Sequence, residues 1–444
     1  MHKIHIKNFG PIKDLKMDVK DYLVLIGQQA TGKSTISKLI YFFRTVKEEM
    51  YGHFSEEIKS PESLKKILTH SKKAFIDKMN NKLYMIFDTT TKDNKSYITY
   101  NYGNNITIKL LTHVNKSGQY ILKFEMNAAL TNSFKQFFQK SISIAQELRQ
   151  IDDKLTTLLS DWEIIKNKLT KEECFNVLKN DINKLFNDDV MAVYFLPAGR
   201  SIASVFFSNR YKGSVETGDY ILDRFTSRNI LFRNIYSNMI KDLGFDDGDG
   251  FYLNAAYADK LIKEILKGDY RYIRETNEEF LIINEDEYIK MQFASSGQQE
   301  SLWVLLTLRV LMYHEISKVL FIVEEPEAHL YPIAQRKLVE FISFVMNATN
   351  SQMIITTHSP YILTSLNNLI FANNVAIKTG KESEVSEIID KRLWIDIDKI
   401  GVFELEGGEC TDIVSKRLNF IKAEEIDKAS RDINDDFERL FEIR

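Results

Sequence analysis

Eight residues, "GQQATGKS" from Gly27 to Ser34, constrain this chain more than any other stretch. They fill the pattern G-x-x-x-x-G-K-[ST]. The apolar run "DYLVLIG" precedes them, and "TISKLIYFFRTV", with helical periodicity, follows. A strand that turns through a glycine-rich loop into a helix presents successive backbone N–H groups and the positive end of a helix dipole to a phosphate. The expected nucleotide contacts are Gly27, Gln28, Gln29, Ala30, Thr31, Gly32, Lys33, Ser34 and Thr35. Lys33 would reach the β- and γ-phosphates of a nucleotide, and the Ser34 hydroxyl would ligate Mg²⁺. Strand, loop and helix in this order predict an α/β fold.

The rest of the composition narrows the class. A formal net charge of −3 excludes a chain that is basic throughout, although a local basic face remains compatible with it. Cys174 and Cys410 stand far apart without metal-ligand spacing, which argues against a disulfide framework or a zinc site and fits a reducing, cytoplasmic setting. The N-terminus lacks the apolar core of a signal peptide, and no run of 18 or more apolar residues predicts a membrane span.

Periodicity divides the chain into four segments. Residues 1–131 should form an N-terminal lobe with the phosphate loop and an antiparallel meander. Its strands are "KIHIKNF", "DYLVLIG", "KLYMIFDTT", "SYITYNY", "ITIKLLTHV" and "QYILKFEM". Residues 132–189 read as a helical insertion. Leu148, Ile151, Leu155, Leu158, Trp162, Ile165 and Leu169 step by three and four, and "FNVLKNDINKLF" supplies a returning helix. That seam fits a projecting hairpin or short coiled-coil arm, and equally a helix facing the core. Residues 190–378 form a C-terminal lobe, with strands at "VMAVYFLPAGR", "EFLIIN", "KVLFIVEE" and "QMIITTHS". Its helices fall over about 218–240 and 258–267, after "SSGQQES", and at "AQRKLVEFISFVMN". Residues 379–444 carry the strand "GVFELEGG" and amphipathic helices marked by Ile413, Leu418, Ile421, Ile426, Ile433, Phe437, Leu440 and Phe441, which would dock on the chain's own core or on a partner.

Two glutamates, Glu324 and Glu325, directly follow the apolar run "VLFIV". Carboxylates at a buried strand end need compensation. A metal ion and a phosphate would supply it. The stretch resembles a Walker B strand, in which Glu324 would hold Mg²⁺ and Glu325 would act on the attacking water as base. Most proteins with such a strand carry Asp at the first of these places, so Glu324 is a slight departure. "ASSGQQES" resembles the ABC signature, with Ser295, Ser296, Gly297 and Gln298 as nucleotide contacts across a dimer interface. His358, ending "IITTH", stands where a switch histidine would lie. "PEAHL" corresponds to a D-loop, placing Glu327, Ala328 and His329 at the dimer seam.

Phosphate loop, long insertion, signature, Walker B and switch histidine follow one another in the order of ABC-type ATPases. The signature follows Lys33 by more than half the chain, which suits the soluble SMC, RecF and OLD branch. "IKNFGPIKDL", "GQQATGKST", "FLPAGRS", "SSGQQE", "EEPEAHLYP" and "TTHSPYIL" together resemble bacterial AAA-labelled, OLD-like ABC ATPases, among them the ATPase subunits of the Septu and PARIS anti-phage systems. The resemblance covers about 1–45 and 190–378. It implies an ATP- and Mg²⁺-dependent ATPase core. That core would form a nucleotide-sandwich homodimer or a higher oligomer, with Lys33, Glu325 and His358 as catalytic residues. It further implies a separate effector such as a nuclease, and no membrane partner. No Q-loop glutamine is evident; Arg200 in "PAGRS" stands near its place and is the candidate nucleotide contact there. Too little chain follows Lys378 for a Toprim nuclease, which leaves Asp396 and Asp398 as surface acids. The alternative is a RecF- or SMC-like ATPase that clamps DNA. Residues 135–184 mix both charge signs without a long basic run, which favours effector control.

Overall fold

A computed structural model describes residues 1–59, 67–88, 90–91, 96–115, 117–155, 161–202, 218–242, 250–313, 316–422 and 428–442. They divide into two compact units, Met1–Val19 with Lys38–Ala192 and Lys20–Ser37 with Val193–Arg444.

The first unit is built on an antiparallel sheet. Its strands are β1 (His2–Phe9) and β2 (Ile12–Val19) and, after β3 (Tyr22–Gly27) of the other unit, β4 (Thr90–Thr91), β5 (Tyr97–Gly103), β6 (Ile106–Val114) and β7 (Tyr120–Met126). The order is β2-β1-β5-β6-β7-β4. Ile4, Ile6, Ile98, Tyr100, Ile108 and Leu110 bury one face by simple alternation. Helix α1 (Lys33–Lys59) lays Phe42, Phe43, Val46, Met50 and Phe54 into this unit's interior.

"KLYMIF" is not the strand expected. It is the last part of helix α2 (Leu68–Phe87), which buries Phe75, Met79, Leu83 and Ile86 at spacings of four, four and three and stops at Asp88 in a left-handed conformation. A run of good strand formers lost to a helical stripe that begins outside it. Helices α3 (Ala128–Leu155) and α4 (Asp161–Leu185) form the inserted hairpin and are joined by the Lys140–Asp181 ion pair at 2.5 Å. Leu148 is buried. The other heptad positions, Ile151 to Leu169, lie outside the residues whose side chains are described.

The second unit carries a sheet of order β15-β14-β3-β13-β12-β8, from β8 (Ala192–Leu196), β12 (Val319–Glu324), β13 (Gln352–Thr357), β14 (Ile400–Glu406) and β15 (Glu409–Asp412). The strands β14, β3, β13 and β12 run parallel. β3 and β12 are buried along nearly their whole length, the signature of a sheet covered on both faces. The phosphate loop therefore groups with the later strands and not with the meander, because β3 takes its hydrogen bonds from β13 and β14.

A smaller sheet, β9 (Asp269–Ile273), β10 (Glu278–Ile282) and β11 (Tyr288–Lys290), follows helices α5 (Tyr220–Asp242) and α6 (Gly250–Leu266). Helix α7 (Ser296–Tyr313) is buried at every position from Glu300 to Met312 and forms the centre of this unit's core. Helices α8 (Pro332–Thr349), α9 (Pro360–Thr379) and α10 (Glu382–Ile388) complete it.

The tail differs from expectation. Ile413 and Ile421 are core residues, and the paired strands β16 (Val414–Ser415) and β17 (Phe420–Ile421) lie between 413 and 421 in place of a helix. A helix, α11 (Lys428–Glu442), begins only beyond them, and Ile426 lies outside the described residues.

The first unit contains a buried polar cluster. Asp188 lies 3.0 Å from Arg44 Nε and 3.3 Å from Lys47 Nζ. His2 is 6% exposed; its Nδ1 faces the Tyr100 hydroxyl at 3.1 Å and its Nε2 faces the Phe186 and Asn187 carbonyls at 3.2 Å. Burial, and then the Arg44 charge, lower the His2 pKa from 6.5 to about 4. Between those two values the unfolded chain holds a proton that the folded chain does not, so acid favours unfolding there. The His2 contribution is whole above pH 6.5 and lost toward pH 4, about 3 kcal/mol in all. Urea unfolding of the wild type should therefore lose about that much more stability over this interval than His2→Gln does. Parallel pH dependences for the two proteins would place the acid sensitivity elsewhere.

Candidate nucleotide site

Parallel neighbours β3, β13 and β12 end at one edge of their sheet, which brings Gly27, His358, Glu324 and Glu325 together. Gly27 has φ 153°, and a Cβ there would stand 2.4 Å from the Leu405 carbonyl oxygen of β14. Only glycine fits so close to a neighbouring strand. Ala30 (φ 60°) and Gly32 (φ 102°) continue the turn, and Thr31 Oγ1 donates to the Gln28 carbonyl at 2.9 Å. Gln28, Gln29, Ala30 and Ser34 are exposed, and Thr31 and Thr35 half-buried. Helix α1 starts at Lys33 with no acidic residue in its first turn, which leaves its positive end unneutralised.

Lys33 is 5% exposed, and its Nζ donates to the Gly27 and Gln28 carbonyls at 2.7 Å each. Burial lowers its pKa, and Glu325 and then Glu327 pull it back up. The same Nζ lies 3.4 Å from His358 Nδ1, while His358 Nε2 lies 3.0 Å from Glu325 Oε1. An ammonium can only donate, so Nδ1 accepts and Nε2 carries the proton given to Glu325. Lys33, His358 and Glu325 thus form one contact chain across the ends of three strands.

Glu324 is buried, with Oε1 accepting from Ser37 Oγ at 3.1 Å and Oε2 from the Ala198 amide at 3.2 Å. Ser37, one turn beyond Ser34, was not singled out from the sequence, although the i, i+3 spacing could have shown it. Glu325 is held at φ 43°, with its amide donating to the Thr356 carbonyl at 2.8 Å.

Glu327 is an interior residue, not the seam residue expected. It is 7% exposed, and its Oε1 accepts from Thr357 Oγ1 at 2.5 Å and from the His358 amide at 3.0 Å. Burial raises its pKa against those hydrogen bonds. It fixes the strand end that carries the histidine. His329 is exposed and Ala328 half-buried.

Ser295 caps α7. Its amide and hydroxyl both donate to Gln298 Oε1 at 2.9 Å, the reciprocal box of a Ser three residues before a Gln. Gln298 Nε2 donates to the Leu266 carbonyl at 2.7 Å, so this side chain, expected on nucleotide, is committed to holding the cap. Ser295 and Ser296 are exposed. A Cβ at Gly297 would stand 2.5 Å from the His329 carbonyl oxygen, so this glycine is required by the chain's own packing.

Arg200 is not placed to touch nucleotide. It is fully buried, and its guanidinium donates to the carbonyls of Pro197 (2.8 Å), Glu300 (3.1 Å), Glu324 (2.5 Å) and Glu325 (3.0 Å). Glu300, which the sequence reading passed over, accepts from the amides of Arg200 at 2.9 Å and Ser201 at 3.1 Å.

The donor set suits Mg²⁺ brought by a nucleotide. Such an ion uses one or two protein oxygens and takes the rest from phosphates and water. Ser34 and Glu324 are the residues that would hold it, and the described residues contain no cluster of three or more His, Cys, Asp or Glu that would hold a metal by itself.

The profile of the AAA ATPase domain matches residues 1–363. Nothing among the curated proteins matches the chain. Similar solved structures include an SMC head bound to the C-winged helix domain of ScpA, 10% identical, with a TM-score of 0.40 over 94% of this chain and 98% of that one. Another is the SMC head domain from Thermotoga maritima, 10% identical, with a TM-score of 0.36 over 93% and 97%. A third is the Smc head domain with an extended coiled coil bound to the C-terminal domain of ScpA derived from Pyrococcus furiosus, 11% identical, with a TM-score of 0.37 over 98% and 100%. No helix among the described residues is long and apolar enough to cross a membrane. The α/β fold class read from the sequence, a phosphate-loop core with an antiparallel meander and an inserted helical hairpin, stands. The chain belongs to the AAA ATPase domain family.

Proposed function

We propose that two copies of this chain close head to tail around ATP, hydrolyse it, and so control a separate effector, a nuclease or another toxin, in defence against phage. The observation that carries the hydrolytic part is the contact chain from Lys33 through His358 to Glu325. A cation for the phosphates, an anion for the attacking water and a histidine between them lie at the edge where the phosphate loop ends.

In this reading the amides of Gly27 to Thr35 and the start of α1 bind the phosphates. Lys33 leaves the Gly27 and Gln28 carbonyls for phosphate oxygens. Ser34 and Glu324 would hold Mg²⁺, which neutralises phosphate charge when bound. Glu325 accepts the proton of the attacking water. His358, its Nε2 proton on Glu325, keeps that carboxylate turned toward the loop. Ser295, Ser296 and the α7 N-terminus face the nucleotide of the second copy.

The defence role rests on the motif set from "IKNFGPIKDL" to "TTHSPYIL". An effector surface is supported by α11, where Phe437, Leu440 and Phe441 are each about two-thirds exposed at spacings of three and one. If the chain instead retains DNA at physiological salt and no protein partner, the RecF- or SMC-like reading takes its place.

Two variants separate the binding and hydrolytic roles. Lys33→Ala removes charge-assisted contacts worth about 1.5–3 kcal/mol each and should weaken ATP binding by about tenfold or more. Glu325→Gln should keep ATP affinity and slow turnover by about 10²–10⁴-fold, with ATP-bound dimers accumulating. Normal turnover in Glu325→Gln would refute its role as base.

The shared site calls for a mixing experiment. Gly297→Asp is unsuitable because of the His329 carbonyl. Ser296→Glu suits better, since an acidic residue in a first helical turn is favourable while it repels a phosphate. Lys33→Ala and Ser296→Glu subunits, each inactive alone, should recover roughly a quarter of wild-type turnover when mixed, because half the dimers pair one intact site with one doubly damaged site. A mixture as inactive as its components contradicts the shared site.

A further inference from the structure

Glu325 adopts φ 43°, a backbone region that residues with a side chain rarely occupy. That conformation turns its carboxylate to His358. Strain of this kind persists only where the surroundings over-determine it. Here the restraints are explicit. The Glu325 amide donates to the Thr356 carbonyl at 2.8 Å, and the Glu325 carbonyl accepts from Arg200 Nη2 at 3.0 Å. The preceding carbonyl, Glu324, accepts from Arg200 Nη1.

Arg200 is itself locked from the other side. Gly199, at φ 73°, turns the chain just before it. The Arg200 amide and the next, Ser201, both donate to the Glu300 carboxylate, and Arg200 Nε donates to the Glu300 carbonyl. Glu300 is 3% exposed and sits in the second turn of α7, which Ser295 caps and whose first turn carries Ser296 and Gly297. A single buried guanidinium therefore spans the signature helix and the end of β12. Its planar fork serves four carbonyls, Pro197, Glu300, Glu324 and Glu325, that lie in three separate segments.

We infer that Arg200 and Glu300 are positioning residues for hydrolysis: they hold Glu325 in its left-handed conformation and tie that conformation to the placement of helix α7. This deepens the ATPase reading and rests on Glu325 being the base. When the N-terminus of α7 engages a nucleotide, a shift of the helix reaches Glu300, then Arg200, then the backbone at Glu324 and Glu325. The hydrogen bonds of both side chains go to Pro197–Ser201, Glu300, Glu324 and Glu325 and not to the phosphate loop, so ATP binding should not depend on them.

Arg200→Lys and Glu300→Gln test the inference. A lysine keeps the charge but donates from one point and cannot serve four carbonyls. A glutamine keeps the shape of Glu300 but turns one of its two acceptors into a donor facing an amide. Turnover is measured by phosphate release, ATP affinity by fluorescent-nucleotide titration and integrity by thermal melting, with Glu325→Gln alongside. In both variants kcat should fall by about tenfold or more, with the dissociation constant for ATP held within about threefold and the fold intact. Folded variants with kcat within about twofold of wild type overturn the inference while leaving the base in place, provided Glu325→Gln is inactive. Equal losses of ATP affinity and kcat overturn it too, as does failure of both variants to fold, since either makes the pair a general structural element. An active Glu325→Gln instead removes the base, and with it the underlying reading.

Discussion

Four glutamates and two cations meet at one end of a buried sheet, and the desolvation of those carboxylates is the constraint on which the site depends. Glu300, Glu324 and Glu327 are each less than a tenth exposed, and Glu325 is partly open. Burying ionised carboxylates is costly unless each finds donors. Each of them does. Glu324 takes Ser37 and Ala198, Glu327 takes Thr357 and the His358 amide, Glu300 takes two amides of the Pro197–Ser201 turn, and Glu325 takes His358. The donors come from the turn after β8, from α1 and from the end of β13, so the electrostatics of the site and the topology of the sheet are one requirement.

The two cations divide the work by chemistry. Arg200 is rigid, fully buried and bonded to backbone, and it fixes where the chain goes. Lys33 is a point charge on a flexible stem, bonded to loop carbonyls that a phosphate could replace. Burial lowers the Lys33 pKa, which measures how poorly solvated this charge is. A poorly solvated cation gains more from an incoming anion than a hydrated one does. His358 touches Lys33 on one ring nitrogen and Glu325 on the other, so in the proposed mechanism a movement of the lysine toward phosphate would be felt at Glu325.

What was legible in the sequence follows from how local its cause is. The phosphate loop, the "VLFIVEE" strand and the strand ending at His358 are written in consecutive residues, and all fall where expected. "KLYMIF" was misread because the stripe that makes it helical begins at Phe75. Ile413 and Ile421 suggested a helical face, yet both pack in the core beside strands whose pairing depends on distant contacts. Arg200 could not be placed from sequence, because its four acceptors come from three segments that only the fold assembles. Gly297 was read from the sequence as part of a signature, and the fold adds a packing reason for it, the close approach of the His329 carbonyl. Gln298 was expected to face nucleotide, and instead closes the cap of its own helix, a role the Ser-x-x-Gln spacing already allowed.

In the proposed mechanism Lys33, His358 and Glu325 act as one unit that nucleotide rearranges. Nitrogen-detected NMR on histidine-labelled protein, with His358 assigned by comparison with His358→Gln, tests it most directly. His358 should carry a proton on Nε2 with Nδ1 accepting, and the Nδ1 environment should change on adding ATP as Lys33 moves to the phosphates. A ring protonated on Nδ1, or His358 signals that stay unmoved under saturating ATP, would contradict it.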